Sequence, residues 1–299
     1  MSRIHDILTK AERDGTVRRT HPAVTPEPGS APAPPPIAAI ATAIDERPPA
    51  PAAPPRPKAA ESVARAPRVV EAGHLSPVLV AALAPHAVAA EQYRTLRTRI
   101  VLNENGEPRR VLLVTSPGEG DGKSVTSANL ALTMAQEFNR RIVLVDGDLR
   151  RPGVHELFGL SPTPGLADVL AGNVDLDDAL VDLPDFNLSV LPAGLTPERP
   201  AELLGSIAMR RMLDALRTRF DRVLVDMPPV IPLADVGVLA PQVDGALLVV
   251  RAGATKRPEI ERALSVFDAN RIVGLVLNGT GGTQPDYSAY YAEASAAAL

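Results

Sequence analysis

Cysteine is absent from the chain, so it has neither a disulfide framework nor a thiolate metal site. Its five histidines are scattered, which argues against a zinc centre. Long apolar runs are missing too. The best candidate for a bilayer span, residues 78–90, is short and contains Pro85 and His86. The opening Met1-Ser-Arg-Ile-His-Asp-Ile-Leu lacks the apolar stretch of a signal peptide. There is no excess of positive charge: 31 Lys and Arg face 35 Asp and Glu, and a net charge of −4 speaks against a nucleic-acid partner. These absences lead to the expectation of a soluble cytoplasmic protein. A length of 299 residues allows one or two domains.

What is present is unevenly distributed. Thirteen of the 31 prolines lie between His21 and Lys58. A Pro/Ala-rich stretch of this kind buries too little apolar surface to offset its ordering entropy, so 15–74 is expected to be a disordered tether. Before it, 1–14 carries Ile4, Ile7, Leu8 and Ala11 at helical spacing, with Ser2 as N-cap. This short amphipathic helix either docks a partner or covers the protein's own surface. A folded domain is expected over 75–280. Residues 281–299 form a flexible tail bearing Tyr287, Tyr290 and Tyr291, joined through Gly279-Thr-Gly-Gly-Thr283.

The domain is organised around Val111-Leu-Leu-Val-Thr-Ser-Pro-Gly-Glu-Gly-Asp-Gly-Lys-Ser-Val-Thr126. An apolar run that reads as a buried strand leads into a loop with Gly118, Gly120 and Gly122 at alternate positions. Lys123-Ser124 then opens a helical pattern. Strand, glycine loop and helix in this order cradle phosphate, with Pro117 standing where the first glycine of G-x-x-x-x-G-K-[ST] usually falls. The amides of Gly118, Glu119, Gly120, Asp121, Gly122, Lys123, Ser124 and Val125 can converge on the anion. Lys123 reaches the β- and γ-phosphates of ATP, and the Ser124 hydroxyl suits Mg²⁺.

Beyond the loop, apolar runs alternate with helical patterns. Runs at 141–146, 187–191, 223–226, 246–250 and 272–277 are read as strands, and 207–220 and 259–267 as helices. The pattern predicts an α/β P-loop fold with a mostly parallel sheet covered on both faces. Ligands then sit at the carboxyl ends of the strands. Asp146, Asp148 and Asp226 fall there, with Asp146 and Asp148 on one side of an extended chain. One or two carboxylates near the phosphates suffice for Mg²⁺, and a spare one can take the proton of an attacking hydroxyl.

Several motifs together resemble one family. They are Glu91-x-Tyr93-Arg94-x-Leu96-Arg97-Thr98, the loop from Thr115 to Ser124, and Val143-Leu-Val-Asp-Gly-Asp-Leu-Arg-Arg-Pro152. To these add Leu191-Pro-Ala-Gly194 with Pro200-Ala-Glu-Leu-Leu204, Val223-Leu-Val-Asp-Met-Pro-Pro229, Gly274-Leu-Val-Leu-Asn278 and the tyrosine-bearing C-terminus. The chain resembles the bacterial tyrosine kinases, P-loop autokinases of polysaccharide synthesis. Its opening Ser2-Arg-Ile-His is similar to members associated with exopolysaccharide export.

The resemblance implies the following roles. Lys123 and Ser124 bind phosphates and Mg²⁺, Asp148 and Asp226 join the metal shell, and Asp146 is the candidate base. Asn278 sits on the adenine side. Glu91, Arg94 and Arg97 contact a neighbouring protomer in a homo-oligomeric ring, so that the tail tyrosines are phosphorylated in trans. A separate membrane co-polymerase of polysaccharide export recruits and activates the kinase at the inner face of the membrane, and a protein-tyrosine phosphatase resets it. The tail carries fewer tyrosines than is common in the family.

Two other readings stand beside this one. A ParA/MinD-type ATPase switch shares the fold, but it has a further lysine where this chain has Gly118. A regulator of polysaccharide export that only binds nucleotide could carry the same residues.

Overall fold

Runs of Val, Leu and Ile build the centre of the molecule, since strands covered on both faces have no polar alternation. The structure is a computed structural model that describes residues 68–69, 75–104, 108–137 and 140–280. The helix expected over 1–14, nearly all of the tether and the tail tyrosines lie outside the described residues.

Among the described residues the strands are β1 (Arg68–Val69), β2 (Val111–Thr115), β3 (Ile142–Asp146), β4 (Val181–Leu183), β5 (Leu188–Leu191), β6 (Arg222–Asp226), β7 (Gly245–Arg251) and β8 (Ile272–Asn278). The helices are α1 (Val80–Leu83), α2 (Val88–Leu102), α3 (Lys123–Ala135), α4 (Val154–Phe158), α5 (Leu166–Ala171), α6 (Leu176–Ala179), α7 (Pro200–Leu204), α8 (Ile207–Arg219), α9 (Asp235–Leu239) and α10 (Arg257–Leu264). The strands join one sheet in the order β1-β4-β5-β3-β6-β2-β7-β8. Every neighbouring pair is parallel except β4 with β5.

Alternate residues of the central strands feed two separate cores. Leu113, Val145, Val225 and Leu248 pack with Met209, Leu213 and Leu216 of α8 and Ile260 and Leu264 of α10. Leu112, Leu144, Leu224 and Leu247 pack with Leu130 and Leu132 of α3 and Ile100 of α2. The expected parallel sheet with helices on both faces is therefore present.

The sequence reading missed β4, a three-residue strand interrupted by Asp182 and too short to show a period. It also placed α10 two residues late. Pro258 and Glu259 lie inside the first turn, where Glu259 accepts the backbone N–H of Lys256 at 3.1 Å.

Packing on the α3 side rests on two polar anchors. Asn129 is fully buried; its Oδ1 accepts Ala81 N and its Nδ2 donates to Val78 O, both at 2.9 Å, which ties the segment before α2 onto α3. Arg97 of α2 donates to Thr133 O at 2.8 Å and pairs with Glu137 at 3.1 Å. No helix among the described residues is long and apolar enough to cross a membrane.

Candidate active site

Three strands deliver the site. β2 runs straight into the glycine loop, while β3 and β6 lie side by side with Asp146 and Asp226 in register. Register partners on parallel strands leave the sheet on the same face, here the face covered by α3. Gly147 follows Asp146 and turns the chain; a Cβ there would lie 2.9 Å from Asp226 O and 2.6 Å from Met227 Sδ. The strand has ended at that point, so Asp146 and Asp148 do not share one extended geometry, and they face different partners.

Lys123 Nζ donates to Asp148 Oδ2 at 2.8 Å and lies 3.7 Å from Asp226 Oδ2 and 3.1 Å from Ser124 Oγ. Ser124 Oγ donates to Asp226 Oδ2 at 2.6 Å, and Ser127 Oγ to Asp226 Oδ1 at 2.9 Å. Asp146 turns instead to the backbone. Its Oδ2 accepts Gly153 N at 3.1 Å and Val154 N at 3.0 Å, and its Oδ1 accepts Asp148 N at 3.2 Å.

Burial pushes the Asp146 carboxyl up to about 7, with the charge of Asp226 adding to the rise. Burial likewise raises Asp226, against the opposing pull of Lys123 and the two serine hydroxyls. For Lys123, burial acts downward, but Asp226 and Asp148 outweigh it and leave the ammonium more basic than usual.

The donor set fits Mg²⁺ bound together with a nucleotide. Among the described residues no group of three His, Cys, Asp or Glu side chains could hold a metal ion by itself. Mg²⁺ needs only one or two carboxylates when phosphate oxygens and waters complete its shell, and Ser124, Asp148 and Asp226 supply a hydroxyl and two carboxylates at one place. Beside them lies a cleft of about 390 Å³. Glu119, Gly120, Lys123 and Asp148 line one side; Pro228, Pro229 and Leu233 give it an apolar part.

The loop is braced from within. Asp121 is buried; its Oδ2 accepts Gly118 N at 3.1 Å and its Oδ1 accepts Thr255 Oγ1 at 2.8 Å. Asn278, at the end of β8, donates Nδ2 to Asp121 O at 2.9 Å. Arg251 reaches Gly120 O at 3.4 Å. The sequence marked Asp121 only for its amide in the phosphate cradle and missed Thr255, which lies 134 residues away. Ser127 was also missed, although its position one helical turn beyond Ser124 is a usable signal. Val125 directs its carbonyl to Asn129 Nδ2 at 2.9 Å.

Replacing Asp121 with Ala removes both carboxylate bonds of this brace. The expected result is a loss of about 1–3 kcal/mol of stability. The KM for ATP should rise about tenfold, with kcat changed less, because the loop loses its bound shape rather than a charge on the phosphates. Thermal unfolding and steady-state kinetics read the two effects.

Glu91 and Arg94 pair with one another on α2 at 2.7 Å, and Arg94 also donates to Pro85 O at 2.6 Å. Arg97 is the residue of the three that grips α3. Tyr287, Tyr290 and Tyr291 lie outside the described residues.

No model of a protein family matches the chain. Among curated proteins it is similar to the tyrosine-protein kinase YwqD of Bacillus subtilis, 33% identical over 215 residues, which covers 71% of this chain and 90% of that one. It is similar also to the tyrosine-protein kinase CpsD of Streptococcus agalactiae, 32% identical over 203 residues, covering 67% of this chain and 87% of the relative. Among solved structures, the kinase domain of the Escherichia coli tyrosine kinase ETK superposes with a TM-score of 0.66 at 30% identity, covering 72% of this chain and 85% of that one. The chimerical protein CapA2B2 gives 0.64 at 26% identity, covering 71% and 93%. With a relative above 30% identical matched over nine-tenths of its length, and a phosphate loop facing two aspartate-bearing strands, the chain belongs to the bacterial tyrosine-protein kinases.

Proposed function

We propose that this tyrosine kinase transfers the γ-phosphoryl group of ATP to Tyr287, Tyr290 and Tyr291 of a neighbouring copy, and so regulates the synthesis and export of a capsular or extracellular polysaccharide. The observation that carries the reading is the contact of Lys123 with Asp148 and Asp226 beside Ser124, a phosphate and metal site assembled from three strand ends. Bound Mg²⁺ supplies charge neutralisation at the β- and γ-phosphates, held by Ser124, Asp148 and Asp226. Lys123 would turn from the carboxylates to the phosphates, and the amides from Glu119 to Val125 would hold them; the Gly118 amide, expected to join them, is taken by Asp121 Oδ2. Asn278, at the end of β8, would stand on the adenine side.

The phenolic oxygen attacks the γ-phosphorus, the bond to the β–γ bridging oxygen breaks, and ADP leaves. Asp146 is the proposed acceptor of the phenolic proton, since burial and the charge of Asp226 raise its affinity for a proton. It is fully buried, so acceptor binding must open the path to it.

The test mixes wild-type chain with a Lys123→Met acceptor chain in ATP and Mg²⁺ and maps phosphate by mass spectrometry. Phosphotyrosine in the tail of the Lys123→Met chain is expected. ATP turnover with phosphate passed only to water would overturn the reading in favour of the ATPase switch.

By the same reading, Glu91, Arg94 and Arg97 line the contact between protomers of a ring. A membrane co-polymerase recruits the kinase to the inner face of the membrane, and a tyrosine phosphatase reverses the modification. The two arginines are expected to behave differently when replaced. Arg97→Ala loses the contacts to Thr133 and Glu137. It should therefore cost about 1–3 kcal/mol of stability in addition to any loss of assembly. Arg94→Ala should weaken assembly with a smaller effect on unfolding. Light scattering and thermal melts of both variants separate the two contributions. Equal melting temperatures for the two variants would contradict the packing role given to Arg97.

A further inference from the structure

The cleft beside Lys123 is bordered by two arginines of different kinds. Arg150 is committed. Its Nε and Nη2 donate to Oδ2 and Oδ1 of Asp235 at 2.5 and 3.2 Å, and that carboxylate is fully buried. Drawing Arg150 away would leave a buried charge without a partner, which is strongly unfavourable. Arg151 is exchangeable. Its Nη1 donates to Glu119 Oε2 at 2.6 Å, but the two side chains are 75% and 68% exposed. A pair so open to water contributes little and gives way to a better-placed acid.

The apolar part of the cleft, Pro228, Pro229 and Leu233, offers a wall for an aromatic ring. The tail offers three rings with different neighbours. Asp286 immediately precedes Tyr287, Tyr290 stands between Ala289 and Tyr291, and Glu293 follows Tyr291 by two positions. In an extended peptide, adjacent side chains point to opposite sides. A Tyr287 ring directed into the cleft therefore turns Asp286 outward, to the rim where Arg151 stands.

We infer that Arg151 is a specificity-determining residue for the acceptor: it exchanges Glu119 for Asp286 of the incoming tail and makes Tyr287 the preferred of the three tyrosines. The inference rests on the tail being the substrate, as proposed above.

The experiment uses full-length chains. The donor carries Tyr287→Phe, Tyr290→Phe and Tyr291→Phe, and the acceptor carries Lys123→Met. Phosphate at each acceptor tyrosine is followed over time by mass spectrometry. Tyr287 is expected to be modified first. Asp286→Asn in the acceptor, or Arg151→Glu in the donor, should lower kcat/KM at Tyr287 about tenfold, the scale of one charge-assisted hydrogen bond, chiefly through KM for the acceptor. Donor Arg151→Glu paired with acceptor Asp286→Lys should recover most of the loss. The KM for ATP should not move with Arg151→Glu; a rise would assign Arg151 to the nucleotide and overturn the inference. Wild-type rates on the Asp286→Asn acceptor, or no recovery in the swapped pair, would overturn it as well. If no tail tyrosine receives phosphate from any donor, the tail assignment itself fails and takes the inference with it.

Discussion

Lys123→Met is expected to reduce phosphotyrosine formation by about a thousandfold or more, the scale seen when a transition-state cation is removed from phosphoryl transfer. Lys123 is the sole cationic side chain between Val111 and Val125, and its ammonium group serves two partners in turn. It sits on Asp148 and near Asp226; with Mg²⁺ held by these carboxylates, as proposed above, it would be free to meet the β- and γ-phosphates. Methionine retains most of the side-chain volume and removes only the charge. The free chain is left with three acids grouped at the strand ends and no lysine among them. Two of these acids are already raised by burial, and they respond to the loss by holding protons rather than by unfolding the sheet. The variant should therefore stay folded with a lowered melting temperature. Circular dichroism and phosphopeptide mapping on the same sample decide the matter. A folded variant that keeps more than a tenth of the wild-type signal would remove Lys123 from the mechanism.

The second large effect is expected at Gly122. Its φ is +92°, a left-handed conformation that costs an alanine about 1 kcal/mol. An added Cβ would also fall 2.0 Å from Asn278 Nδ2, so the amide must swing away and abandon Asp121 O. The lost hydrogen bond adds about 1 kcal/mol. Gly122 is moreover the residue before the first turn of α3, so the displacement passes straight to Lys123 and Ser124. Gly122→Ala should lose about 2–3 kcal/mol of stability and ten- to a hundredfold in ATP affinity. Gly120→Ala is the matched control. Its φ of +78° carries the same conformational cost, but nothing lies within 4 Å of the new methyl group. A fluorescent nucleotide titration of both variants isolates the steric part; equal losses would show that Asn278 does not hold the loop.

The residues that could be read in advance are those whose role is set by neighbours along the chain. The run Val111–Thr115, the glycine loop and the helix start at Lys123 occur together in sequence, so their order alone defines a phosphate cradle. Asp146 and Asp226 close apolar runs, and apolar runs in this composition are central strands. Contacts between distant positions left no local trace. Thr255 and Asp121 are joined only because β7 lies next to β2, and Arg150 meets Asp235 only because the chain turns after both strands β3 and β6 on the same side. Asn278 was read only as an adenine contact; its hydrogen bond to Asp121 O on the phosphate loop is a further role with no signal in the local sequence. Arg97 could not be separated from Arg94 by spacing, since three-residue periodicity does not tell which side of α2 meets α3.

The placement of Asn278 has a practical consequence for any shortened version of the chain. β8 is the last strand among the described residues, and its final residue holds the phosphate loop. A stop codon introduced at or before Asn278 would disable the nucleotide site along with removing the proposed acceptors, and the dead product would be mistaken for proof that the tail drives activity. Deletions meant to remove only the tail tyrosines should begin after Thr280, so that Asn278 and the left-handed Gly279 stay in place.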